Sequence, residues 1–329
     1  MTKRTVSSEV RAELVAIKEK RKDYYAYLSG VIRGAGELVF TFKGFALTLR
    51  HTDEGFIKKT TEIINEVTNE NFSYYDSFLD LGYSKKRLFT LNVPVENAAE
   101  ILERCAIVIN RCELVDNIPP ELIKTSSEKK AYLRGLFLAC GYLGVPQQID
   151  EWVKVKTKSG YSMEFNLNSS IVITPIKDLL TKMAHLSKDA VRIRPKSSVL
   201  YVRHADSLGS CLTAIGSVKG TLALNEIIAE RQMKNDINRA NNFDLANIDK
   251  TVSACEKQLA DIDDIERVMG LDALPVQLVE TCQMRRNNPD VGLEALGKLF
   301  DPPVGKSGIN HRMRRIAEYA EEARKREEK

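Results

Sequence analysis

Apolar residues recur along this chain in two rhythms, and the switches between them mark its elements. Val10, Leu14 and Ile17 return every three or four positions, the period of an amphipathic helix, with Ser7 or Ser8 placed to cap it. A helical apolar run at 26–35 follows. Leu38–Phe42 and Phe45–Arg50, joined through Lys43-Gly44, read as a β-hairpin. Phe56, Ile57, Ile63, Ile64 and Val67 then form the stripe of a helix over 56–68. Tyr74–Leu81 and Arg87–Val93 make a second hairpin across Gly82, and a helix over 96–111 closes the set. The order is αββαββα. It recurs with a helix over 128–143, a hairpin over 151–167 turning at Lys158-Ser159-Gly160, a helix over 174–186, a hairpin over 190–204 and a helix over 206–216.

The recurrence is written in the residues themselves. Residues 26–38 read AYLSGVIRGAGEL and residues 131–143 read AYLRGLFLACGYL, with Ala, Tyr, Leu, Gly, Gly and Leu shared in register. This is an internal duplication. Gly30 with Gly34, and Gly135 with Ala139, sit four apart and share one helix face, where two backbones can approach closely. Gly36 and Gly141 suit the position that ends a helix.

Gly209 to Gly220 carries Gly/Ser breaks and marks a domain boundary near 218. Beyond it, two long helices are expected over 221–240 and 244–268, broken at Asn241-Asn242, capped by Asp244 and stopped at Gly270. Leu245, Ile248, Val252, Cys255, Leu259, Ile262 and Ile265 form the apolar stripe of the second. Three short helices follow. Pro275 fits a first helical position, with Val276, Val279 and Cys282 as the stripe of the first; Asp290 caps the second, carrying Leu293, Leu296 and Leu299. The third begins near Lys306-Ser307 and packs Ile309, Met313, Ile316 and Ala320 inward. That packing leaves Lys306, Asn310, His311, Arg312, Arg314 and Arg315 outward, in a stretch (306–316) with four Lys/Arg and no acid. Basic residues on the first half of such a helix are what a helix-turn-helix presents to base edges, and Asn and Arg pair bidentately with adenine and guanine.

Leu28-x-Gly30-x5-Gly36 and Leu133-x-Gly135-x5-Gly141 resemble the LAGLIDADG motif of homing endonucleases. Together with the KSGINHRMRRI stretch at 306–316 and the Asn/Arg-rich segment at 234–242, nearly the whole chain resembles the WhiA family of bacterial regulators. The resemblance implies an α+β fold. A duplicated LAGLIDADG-like αββαββα domain (1–218, repeats about 21–112 and 128–217) precedes an all-α helix-turn-helix domain (219–329). It also implies a role in cell division, sporulation-associated septation and chromosome segregation. LAGLIDADG nucleases hold their metals on one acid from each repeat, immediately before the last glycine. Those positions are Ala35 and Cys140 here, and neither offers a hard oxygen ligand. A catalytically inactive scaffold is expected, with an active homing endonuclease as the remote alternative and an adaptor for RNA polymerase or another regulator as the nearer one.

Charge and composition adjust this picture only locally. The 329 residues carry a net charge of +4, so contact with nucleic acid must come from clusters rather than a global excess. One such cluster is Lys154, Lys156 and Lys158 with Arg192 and Arg194, which alternate along strands and would share one sheet face. The expected contacts with double-stranded DNA are therefore Lys306, Ser307, Asn310, His311, Arg312, Arg314 and Arg315, and on the sheet Lys154, Lys156, Arg192 and Arg194. The six cysteines form no CxxC pair, and with four scattered histidines they give no metal spacing; no metal or cofactor is expected. The N-terminus has no apolar signal-like run and no segment reaches membrane-spanning length. A cytoplasmic, nucleoid-associated monomer is the expectation.

Overall fold

The computed structural model describes residues 5–80, 85–110, 113–146 and 160–327. The chain divides into two compact units, one ending at Glu230 and the other starting at Arg231.

In the first unit, α1 (Val6–Ala16) buries Val10 and Leu14, and its cap is Thr5 rather than a serine: the Thr5 side chain accepts from the Ser8 amide. The first repeat runs α2 (Tyr24–Ala35), β1 (Gly36–Thr41), β2 (Gly44–His51), α3 (Glu54–Thr68), β3 (Tyr75–Asp80), β4 (Lys85–Val93) and α4 (Val95–Arg104). α4 stops seven residues short of expectation. Ala106 turns through a positive φ of 51°, and the chain enters a short hairpin of β5 (Val108–Ile109) and β6 (Glu113–Leu114). The second repeat runs α5 (Ser126–Cys140), β7 (Gly141–Gly144), β8 (Ser162–Asn166), α6 (Ile173–Met183), β9 (Arg192–Ile193), β10 (Val199–Val202) and α7 (Ala205–Ile215). Both four-stranded sheets are antiparallel and place their strands in the order first, second, fourth, third. The duplication therefore extends from the sequence to the topology.

β8, the second strand of the expected 151–167 hairpin, pairs on one side with β7, which begins at Gly141 directly after α5, and on the other with β10. The expected first strand of that hairpin, its turn at 158–160 up to Ser159, and Gly82 of the earlier hairpin lie outside the described residues.

α2 and α5 cross at their glycines. A Cβ on Gly30 would stand 2.1 Å from the Tyr132 carbonyl oxygen, and one on Gly135 would stand 2.3 Å from that of Tyr27. The two glycines are thus reciprocal, each clearing the other helix's backbone. Tyr27, Leu28, Val31, Tyr132, Leu133 and Leu136 are fully buried around the crossing. Gly36 and Gly141 do not act as left-handed helix stops, for their φ values are −74° and −77°. They are glycines because a Cβ would lie 2.5 Å from the carbonyl oxygen of Ile32 or of Phe137 as the chain turns from helix into strand.

α8 (Val218–Val268) is one continuous helix, which overturns the expected break at 241–244. Between Thr221 and Met269 there is neither proline nor glycine. Asparagine costs a helix only about 0.7 kcal/mol relative to alanine, so two in a row lower the local preference without ending the helix. The two compact units divide inside α8, between Glu230 and Arg231. Leu245, Ile248 and Val252, expected to be core, are exposed, whereas Cys255, Ile262 and Ile265 are buried.

The second unit continues with α9 (Val276–Asn287), α10 (Leu293–Lys298) and α11 (Lys306–Glu327). The buried stripe of α9 is Leu278, Thr281, Cys282 and Arg285, whereas Val276, the first helical residue after the N-cap Pro275, is 84% exposed. Gly292, not Asp290, is the residue before α10. Leu296 and Phe300 point inward while Leu299 is exposed. Their partners in the core are Ile309, Met313, Ile316 and Ala320 of α11, all buried as the spacing predicts.

Candidate nucleic-acid interface

The N-terminal half of α11 is built by its own buried stripe. With Ile309, Met313 and Ile316 fixed in the core, the helical period turns Lys306, Ser307, Asn310, His311, Arg314 and Arg315 to the exposed side. α10 supports this helix at close range. A Cβ on Gly297 would lie 2.0 Å from the Val304 carbonyl oxygen, so the turn between the two helices requires a glycine there. The sequence signal for Gly297 was a lone glycine inside a short helix, which alone does not distinguish packing from chance.

Arg312 departs from the expected set. It is half-buried, its guanidinium stands over the Phe300 ring at 5.3 Å, and it donates to Thr281 Oγ1 at 3.3 Å. It therefore ties α11 to α9 and to the end of α10. Arg315 pairs with Glu318 at 3.3 Å one turn later, leaving Lys306, Asn310, His311 and Arg314 as the exposed polar front of the helix.

On the second sheet of the first unit, Tyr142, Glu164, Tyr201 and Arg192 face one another in register across β7, β8, β10 and β9. Arg192 is exposed, with its Nε donating to the Asp189 carbonyl. Arg194 is joined to Glu164 at 3.1 Å and flanks Tyr201, as does Arg203 at 5.0 Å from the ring. This described part of the face carries an acid at its centre. Lys154 and Lys156, the other expected contributors, lie outside the described residues.

The end of α5, where a nuclease would hold one of its acids, is served by a cation. Arg11 donates to the carbonyls of Leu138 (3.0 Å) and Gly141 and lies over the Phe137 ring. Arg33, in the last turn of α2, donates to the carbonyls of Ala106 and Asn117, both at 2.8 Å, and to that of Val115. Burial lowers the pKa of both guanidinium groups below the usual value. Burial, with Arg11 nearby, also holds His51 down to about 4; its Nδ1 accepts from the Asp53 amide. Burial raises the Cys140 thiol to about 12. A guanidinium on the helix-end carbonyls and an un-ionised thiol form a poor setting for a divalent cation. Among the described residues, no three His, Cys, Asp or Glu side chains gather as a metal site would need. No helix among them is long and apolar enough to cross a membrane.

Residues 129–234 match the family model of the WhiA LAGLIDADG-like domain, and residues 237–320 match that of the WhiA C-terminal HTH domain. A "Probable cell division protein WhiA" of Clostridium tetani is 30% identical over 331 residues, spanning 97% of this chain and 98% of that protein. The protein of the same name from Clostridium acetobutylicum is also 30% identical, over 337 residues, with the same coverage. The crystal structure of full-length WhiA from Thermatoga maritima matches with a TM-score of 0.54 at 21% identity, covering 97% of this chain and 99% of that one, a likeness of fold. The duplicated αββαββα unit is thus LAGLIDADG-like and the helical unit a helix-turn-helix domain. With both domain models matched and relatives alike along nearly its whole length, the chain belongs to the WhiA family.

Proposed function

We propose that this protein is a sequence-specific DNA-binding transcription regulator whose reading head is the first half of α11. The observation that carries the reading is the division of that helix. Ile309, Met313 and Ile316 are buried, and Lys306, Ser307, Asn310, His311, Arg314 and Arg315 are exposed with no acid among them before Glu318. Exposed Arg and Asn on the leading turns of a helix are suited to guanine and adenine edges, and the lysines and arginines to phosphates. Arg312 acts from behind, holding the helix on its support. The related proteins carry the words "cell division" in their names, so cell division is the process proposed here; sporulation and chromosome segregation rest on the resemblance alone. A cytoplasmic, nucleoid-associated monomer acting on double-stranded DNA without a cofactor accords with this reading. The first unit serves it as a scaffold without nuclease activity, because Ala35 and Cys140 supply no carboxylate and Arg11 holds the carbonyls at the end of α5.

The experiment is selection of binding sites from random duplex DNA by the full chain, followed by titration of the selected site. Asn310→Ala and Arg314→Ala are each expected to lose about 1–3 kcal/mol of preference for that site over random DNA. Full selectivity in both variants sinks the assignment of α11.

A second reading, an adaptor that grips RNA polymerase or another regulator, draws on one observation. Phe40 is 65% and Phe42 94% exposed at the end of β1, beside Val39, an apolar tip of the kind that marks protein contacts.

A further inference from the structure

Within the second unit, a cleft of about 490 Å³ opens between the 250–258 stretch of α8, the start of α10 and Lys306. Arg285 of α9 lines it and is the largest fully buried side chain of the protein's described residues. One terminal nitrogen of its guanidinium donates to the carbonyls of Val291 (2.6 Å) and Asn288 (3.2 Å) and lies 3.5 Å from Cys255 Sγ. Nε and the other terminal nitrogen are equally buried and have no partner. A buried guanidinium is costly unless its donors and its charge are met, and no carboxylate among the described residues meets these.

Its surroundings match the same demand. Gln258, on the same cleft, has a buried Oε1 without a partner; turned over, its carboxamide presents a donor instead. Lys250, Lys298 and Lys306 stand around the opening against one acid, Glu294, whose carboxylate takes a hydrogen bond from Lys298 at 3.1 Å. Ala254 and Leu293 add an apolar wall, and the volume is in the range of small-molecule sites rather than of a bare ion.

We propose that this cleft is a phosphate-binding site, with Arg285 as its buried counter-charge and the lysines as its outer clamp. The phosphate belongs either to a small phosphorylated ligand or to a DNA backbone. Because Lys306 lies both on the cleft and at the start of α11, occupancy by a small ligand would be linked to DNA affinity, and the linkage is reciprocal.

The test is calorimetric titration of the full chain with pyrophosphate, against sodium chloride of equal ionic strength, with and without random-sequence duplex DNA. Saturable binding is expected, weakened roughly tenfold or more in a Lys250→Ala/Lys298→Ala double variant, the scale of one charge-assisted hydrogen bond. Arg285→Met should abolish it; because that side chain sits in the core, the exposed double-lysine variant decides the matter if Arg285→Met does not fold. Pyrophosphate that still binds beside saturating DNA identifies a small ligand as the occupant, and pyrophosphate displaced by DNA identifies a backbone phosphate. Absence of saturable binding, or binding unchanged in the double-lysine variant, overturns the site.

Discussion

The cations in the interior of the first unit and those on the front of α11 are used in opposite ways, although Arg286 and Arg324 of the second unit are also held by acids. In the first, Glu19 is buried between Lys59 at 3.0 Å and Arg134 at 2.7 Å; Arg134 also donates to the Ile215 carbonyl, and Lys59 to those of Leu14 and Ile17. Arg11 and Arg33 are likewise taken up by backbone carbonyls, and Arg194 by Glu164. In the second unit, Lys306 and Arg314 stand in solvent on a helix whose other face is core. A count of basic residues would rank the two alike as nucleic-acid surfaces. What separates them is whether an internal acceptor has already claimed the charge, for only an unclaimed cation can exchange its counterions for phosphate.

The largest test of this contrast strikes the glycine crossing that brings the first unit's helices, and with them their buried cations, together. Gly30→Leu should leave no folded first unit, since the added side chain begins 2.1 Å from the Tyr132 carbonyl oxygen; overpacking of this kind costs more than about 3 kcal/mol when backbones must separate. A wild-type melting curve would show that the helices do not cross there. Next in size, Arg134→Met strands the Glu19 carboxylate and the Ile215 carbonyl and should cost about 3–5 kcal/mol by denaturant unfolding. An unchanged midpoint would mean that Lys59 alone satisfies Glu19.

His51 gives the contrast a pH signature. Its folded value of about 4 lies below the ordinary 6.5, so between these limits the unfolded chain binds a proton that the folded chain refuses. The stabilisation is therefore complete above pH 6.5 and is lost as pH falls towards 4, by up to about 3 kcal/mol. His51→Gln should flatten that portion of the stability curve. Smallest is the comparison of two neighbours on α11. Arg312→Ala should lower stability by about 1–2 kcal/mol through loss of its contacts with Phe300 and Thr281, while Arg314→Ala should leave the melting temperature unchanged and act only on DNA. Equal stability losses would place Arg314 in the core instead.

Much of this was legible from residue order. The repeated AYLxG helices, the four hydrophobic positions of α11 and the αββαββα order depend on local periodicity and on glycine spacing, and both are written directly in a sequence. The departures have one physical cause: they depend on what a segment packs against. Val276 looked like core and is exposed, Arg312 looked exposed and is half-buried, and Asn241-Asn242 looked like a break and is helix. Gly36 and Gly141 were recognisable as required glycines, but the reason is crowding against Ile32 and Phe137 rather than a left-handed turn.

By itself, then, the sequence determined the duplication, the helix faces and the absence of a carboxylate at Ala35 and Cys140, because identity and period are one-dimensional properties. Only the tertiary structure decided which cations remain available. Glu19 reaches Arg134 across 115 residues, Arg11 reaches Leu138 across 127, and Arg285 is buried beside Cys255 with two donors idle. Such pairings follow from chain crossings, and a charge's partner over that separation is set by the fold and not by its neighbours in sequence.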